Sequence, residues 1–448
     1  MKRCVPAKKR ACFCVISIAL GAAIGVSGAD TIVPLSTNTG PDCERKIEEW
    51  INVLDAASDR QAKKNYEERD TEVTPWLKDA ALPNPDNAAL LYYQAFLLRP
   101  EPNMAISSQI NQILKGAEPD RRIRIYLGHC LPMIRVAEVA SQIPQCTWGI
   151  WYGPETGFGI DSLGVEIRHL RYILAVDART LAADGHYRAA LARCLTIRRL
   201  ARHVGDETVI AYLTSRQTDS MGLSSIQHVL GIMLPDASTL GWLRGQLAVV
   251  HGAPQALGKT LQADFESVLH TLPTNLKQRG NDKSMLVQKD QGEQTAESPR
   301  SLTDEEFLAH AREPYRHFLN CVFRVMDSDE TYDWKHERIK GLIGRLQEEH
   351  GHEVAGGYVI SFCAGRLLEW YELQVGHEAH INGIKAAVEV YLVVAKTGRL
   401  PRELPDHLPK DPFTGRDFVY EITDEGFTLR CQSEEVPQRK DLEFKVRK

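Results

Sequence analysis

The side chains best able to do chemistry in this chain are histidines in two groups. His350 and His352, with Glu353, lie about one helix upstream of His377, Glu378 and His380. His377 and His380 are three residues apart, which places both on one helical face. If the segment between the groups folded back, the imidazoles and carboxylates could meet as a donor set for a transition metal. Both groups read as polar helix ends, where histidines are ordinarily solvated, so solvated side chains are the expectation. Alternate carboxylates at Asp327 and Asp329, with Glu330 and Asp333, would suit calcium. Tyr332 stands where a calcium loop needs its glycine, however, and Arg338 where it needs its closing glutamate. A solvated acidic loop is expected there. Neighbouring acids such as Glu48 with Glu49 and Glu348 with Glu349 lack the contrasting environments that separate an acid from a base.

Phosphate-cradling, dinucleotide-binding, nucleophile-elbow and His-Glu-x-x-His motifs are all missing from the sequence. The sequence therefore assigns no catalytic residue, no cofactor and no metal ligand. One loop has the composition of a binding wall. In residues 143–163 the aromatic groups of Trp148, Trp151, Tyr152 and Phe158 are interleaved with Gly149, Gly153, Gly157 and Gly159. Such a loop can line a ligand pocket. It can equally serve as a plug packed across helix ends, which is the expected role here.

The elements that must position these residues are mostly helices. Ile47, Trp50, Ile51 and Leu54 mark a first amphipathic helix. Asp86 is the expected N-cap of the next, and Ala89 to Leu98 is apolar on nearly every side, which predicts a central helix. Helical pattern resumes over 121–141. Ile167, Leu170, Leu174, Ala178 and Leu181 then form one stripe, Gly185 turns the chain, and Ala190, Cys194, Ile197, Ala201 and Val204 form a facing stripe. Further helices are predicted over 209–230 and 238–272. Residues 273–302 are polar and aperiodic and predict a disordered linker. Thr303 and Glu306 form a capping box that restarts helix, with helices to Leu346, from Val354 to Leu373, and again from Ala379.

The last helix carries Ile381, Ile384, Val388, Tyr391 and Leu392 on one face and stops at Gly398. Pro401, Pro405, Pro409 and Pro412 prevent its continuation. Asp411-Pro412-Phe413-Thr414-Gly415 predicts a tight turn. The alternation of Phe418, Tyr420 and Ile422, then Phe427 and Leu429, predicts a β-hairpin closed at Asp424-Glu425-Gly426. The fold class expected is mainly α, a helical-hairpin bundle with a small C-terminal antiparallel β-hairpin.

Residues 398–431 resemble the C-terminal turn and hairpin of the type II secretion pseudopilins, most specifically in Asp411 to Gly415 set in register with Gly398 and Pro401. That resemblance implies a local fold; the pseudopilin cleavage motif is not found near this N-terminus, so the pilus role is not carried over. Gly185, Tyr187 and Ala190 resemble the inter-helix turn of one tetratricopeptide-like hairpin over 167–204, with no second copy at the repeat period. As a whole the chain is similar to a family of exported, mostly helical bacterial proteins of unknown function.

The 448 residues, 43% hydrophobic, are enough for two or three cores. The basic start of Lys2, Arg3, Lys8, Lys9 and Arg10, the apolar run 12–26 and the small residues Ser27, Gly28 and Ala29 predict a signal peptide over 1–29. Its removal would take the formal charge from −5 to −10, a balance unsuited to nucleic acid or to stable membrane association. Of ten cysteines, the seven beyond that segment are scattered without a C-x-x-C pair, so no disulfide framework is legible. The domains expected are 30–272, the linker 273–302, a helical segment 303–397 packing on the first, and a cap over 398–448. The function expected is a non-enzymatic, exported envelope protein with a protein partner. The alternative is a helical enzyme or small-ligand binder with its pocket near Trp148–Phe158.

Overall fold

The computed structural model describes residues 41–69, 86–149, 159–205, 208–251, 257–258, 260–263, 304–350, 365–405, 407–432 and 441–446. The expected signal segment, the polar linker, Thr303, His352, Glu353 and residues 150–158 of the aromatic loop lie outside them. The chain divides into two compact units, Met1–Ser58 and Asp59–Lys448. The first is described only as the opening of helix α1 (Pro41–Glu67).

The second unit is mostly helical, with a small three-stranded antiparallel sheet at its C-terminal end. Its helices are α2 (Ala88–Leu97), α3 (Met104–Leu114), α4 (Arg121–Gln142), α5 (Gly159–Ala183), α6 (Tyr187–Val204), α7 (Val209–Ile232) and α8 (Ala237–His251). They are followed by α9 (Asp304–Met326), α10 (Tyr332–His350) and α11 (Gly365–Thr397). Side-chain caps start several of them: Asn103, Asp120, Thr208 and Asp236 each accept from a backbone N–H of the first turn. Asn87 caps α2 by accepting from Ala89, which moves the expected cap at Asp86 by one residue. Helix α2 is also less central than its composition suggests. Ala88, Leu91, Tyr92 and Ala95 are buried, whereas Leu90 and Leu97 on the other side are exposed.

The α5–α6 hairpin is the spine of the unit. Both apolar stripes expected from the sequence are buried. Gly185 turns at φ +84° while the amides of Asp184 and His186 cap the carbonyls of Thr180 and Leu181. The hairpin joins two apolar cores: Ile167, Leu170, Leu174 and Ile197 pack with α2, α3 and α4, and Ala178, Leu181, Ala190 and Cys194 pack with α7 to α11 and the sheet. Where Arg69, just past the end of α1, meets α4, α5 and α6 lies a buried ionic network. Asp177 accepts from Arg69 at 3.1 Å and from Arg193 at 2.8 Å, and Arg193 also pairs with Glu138.

Helix α11 runs unbroken through the expected interruption between Leu373 and Ala379. A lone interior glycine such as Gly376 costs only about 1 kcal/mol in a helix, and the burial of Tyr371, Val375 and Ala379 beside it offsets that cost. After Gly398 at φ +71°, the turn is organised by the fully buried Asp411. Its carboxylate accepts from the Phe413 amide, the Thr414 hydroxyl and the Gln432 amide at 2.9–3.0 Å. The expected hairpin forms from β1 (Val419–Ile422) and β2 (Gly426–Arg430), with Tyr420 opposite Leu429. A third strand, β3 (Leu442–Lys445), adds to β2 with Phe427 opposite Phe444. Those two rings stack at 5.0 Å, and Tyr391 of α11 meets Phe427 edge-on.

Candidate functional site

A cleft of about 820 Å³ opens between α5, α7, α11 and the inner face of the sheet, within the ~300–1,000 Å³ range of small-ligand sites. Helical spacing explains its walls. On α5, Arg171 and Arg179 are separated by two turns and share one side, about 12 Å apart along the axis. On α7, Leu213, Arg216, Gln217, Ser220, Met221 and Ser224 recur at intervals of three and one, which is a single face. On α11, Leu373, Gly376, His377 and His380 do the same. Phe413, Phe418, Leu429, Cys431 and Leu442 complete the lining from the C-terminal sheet region. Gln217 and Leu373 are exposed and mark the mouth.

The arginine wall is electrostatically unusual. Arg171 and Arg179 are only 6% and 9% exposed. Arg171 donates to the Thr218 hydroxyl at 3.2 Å and the Gln217 amide oxygen at 3.4 Å, and its guanidinium lies 5.4 Å from the Tyr172 ring centre. Arg179 donates to the Ile113 carbonyl at 2.7 Å. Among the described residues neither forms an ion pair, and the Nε of each has no hydrogen-bond partner. Burial pushes both guanidinium groups to lower pKa. Elsewhere in the same fold buried arginines are given acids: Arg193 has Asp177 and Glu138, and Arg198 holds Asp219 through two nitrogens at 2.7 and 3.2 Å. A buried charge without a counter-ion is costly. The cleft therefore carries positive charge that the protein's own described acids do not neutralise. Its reach extends to His228, whose pKa is depressed to about 4 by burial and by the charge of Arg179.

The histidines predicted to be solvated are not. His377 and His380 are buried and sit twelve or more residues inside α11. The ring of His377 bridges two side chains of α7, with Nε2 2.9 Å from Asp219 and Nδ1 3.3 Å from the Ser220 hydroxyl. In a neutral ring the carboxylate partner fixes the tautomer, with Nε2–H donating to Asp219 and Nδ1 accepting from the Ser220 hydroxyl. Burial opposes ionisation of Asp219, but Arg198 and His377 overcome it and hold the carboxyl below the usual carboxylate range. With Arg198 on both of its oxygens, Asp219 seats His377 and orients Ser220 toward the cleft.

His350 lies on α10, and no group of three or more metal-ligating side chains converges among the described residues. Asp327, Asp329, Glu330 and Asp333 are exposed, as are Glu348 and Glu349. Trp148, the described aromatic of the glycine-rich loop, packs as a plug. It stacks on Tyr92 at 5.5 Å, meets Phe96 and Tyr93, and donates from its indole nitrogen to the His203 carbonyl at 2.6 Å. It does not line the cleft. A second cavity of about 530 Å³ is bordered by Tyr66, Arg69, Arg121, Arg124, Asp184 and His186. There Arg69 and Arg124 already have an acid, because Asp184 accepts from both and from Tyr66. Cys130, Cys146, Cys194 and Cys321 carry free thiols. Burial pushes the first three up to about 12, which leaves them inert.

No family model matches this chain, and neither a curated protein nor a solved structure matches it.

Proposed function

We propose that this chain is a non-enzymatic binding protein that holds a small anion-bearing molecule in the cleft walled by Arg171, Arg179 and Arg216. The export and envelope setting expected from the N-terminal sequence belong to the same proposal. The observation that carries it is the pair of buried guanidinium groups of Arg171 and Arg179, which form no ion pair among the described residues and whose Nε atoms find no partner there, in the wall of a ligand-sized cavity. A bound carboxylate or phosphate would supply both the missing counter-charge and the missing acceptors, and charge-assisted bonds of this kind are the strong ones. The pocket expected at Trp148–Phe158 is thereby moved to the face where α5, α7 and α11 meet. A protein partner, expected from the sequence, is not needed for this reading.

The test is calorimetric titration of the purified chain with inorganic phosphate and with acetate at pH 7, beside an Arg171→Gln/Arg179→Gln double variant. Saturable binding by the parent chain that weakens at least about tenfold in the variant, or about 1.4 kcal/mol, supports the proposal. Equal affinity in the two proteins overturns it.

A further inference from the structure

We infer that the ligand is an amphiphile, a single anionic head joined to an apolar body, and this inference rests on the anion-binding reading of the cleft. The cleft lining is mixed. Arg171 and Arg179 lie on α5, while Leu213 and Met221 on α7 and Leu373 on α11 are apolar side chains that stay partly exposed beside the buried Phe413, Phe418, Leu429 and Leu442. A small inorganic anion would satisfy the arginines and leave Leu213, Met221 and Leu373 in water. A purely apolar molecule would cover them and leave two buried guanidinium groups without acceptors. An anion with an apolar tail meets both demands at once, and each buried methylene adds about 0.8 kcal/mol.

The surroundings agree with that polarity. Leu213 and Met221 on α7 and Leu373 on α11 continue the apolar lining toward the mouth, while Gln217, Ser220 and Ser224 form the polar strip beside the arginines. Among the described residues no acidic side chain lines the cleft, and the nearby Asp219 is already held by Arg198 and His377. A negatively charged head thus meets no repulsion in the cleft wall. The geometry suits either a carboxylate or a phosphate monoester as the head.

The experiment is titration of the full purified chain at pH 7 with five probes below their micellar concentrations: acetate, inorganic phosphate, laurate, dodecyl phosphate and dodecanol. Laurate or dodecyl phosphate is expected to bind at least about 100-fold more tightly than acetate or phosphate, and more tightly than dodecanol. Whichever of the two wins names the head group. Arg179→Gln should weaken the winning probe about tenfold and leave dodecanol unchanged. Leu373→Ser, at the exposed mouth where folding is not at stake, should weaken the winning probe and leave inorganic phosphate unchanged. If acetate and phosphate bind as tightly as their twelve-carbon counterparts, the amphiphile inference fails and the anion reading stands. If dodecanol binds as tightly as laurate, the anion reading fails. No binding by any probe at millimolar concentration overturns both.

Discussion

Asp219 shows how a single side chain can serve both the core and the cleft. It neutralises Arg198, which is 2% exposed, and it seats His377 against Ser220. Removing one partner of a buried ion pair strands the other, so Asp219→Ala should destabilise the fold by about 3–5 kcal/mol in urea unfolding. A loss below about 1 kcal/mol would show that Arg198 finds water instead. The pH dependence follows from the same groups. Asp219 is depressed in the folded state, so its contribution is complete above the unfolded carboxylate value near ~3.9 and is lost as pH falls below it. His203 and His228 are also depressed, to about 4, chiefly by burial. They favour the folded state when neutral, so their contribution fades as pH falls from about 6.5 to about 4. The urea midpoint should therefore begin to fall below neutrality and fall further once the carboxylates protonate. A midpoint that stays flat from pH 7 to pH 4 would contradict the burial of the two histidines.

At the scale of elements, the sheet closes the cleft and its spacing is set by Gly426. A Cβ there would run into the backbone carbonyl of Phe444 on the neighbouring strand. Gly426→Ala should cost about 1–3 kcal/mol by overpacking and weaken ligand binding, because Leu429 and Leu442 move with β2 and β3. Unchanged stability and affinity would mean that the strands can spread without consequence. Much of this level was legible in the sequence. The stripes of α5 and α6, the stop at Gly398, the Asp411 turn and the β1–β2 hairpin each depend on residues close in sequence, where periodicity and turn chemistry act directly. Helix α2 is less central than its sequence predicts, because an all-round apolar composition does not say which side finds a partner. Strand β3 had its alternation written in Leu442-Glu443-Phe444-Lys445 but too few residues to announce itself. The unbroken α11 could not be read at Gly376, since tertiary packing overrides a weak local preference.

At the scale of the whole molecule, the cleft exists because helices remote in sequence bring Arg171, Arg216 and His377 to one place, and no local pattern encodes that meeting. One signal was present. Helix α5 is buried almost all round between Ile173 and Ala182, yet it keeps Asp177 and Arg179 inside that span and Arg171 just before it. Charges within a helix that has no solvent face must be paired or used. Asp177 is paired, with Arg69 and Arg193. On the anion-binding proposal Arg171 and Arg179 are used by a ligand, and the most direct test observes their own nitrogens. In protein labelled at arginine, the Nε resonances of Arg171, Arg179, Arg193 and Arg198 would be followed by nuclear magnetic resonance while laurate is added at pH 7. Saturable movement of the Arg171 and Arg179 signals is expected, with Arg193 and Arg198, already held by acids, nearly stationary. Stationary Arg171 and Arg179 signals, or equal movement of all four, would contradict the proposal.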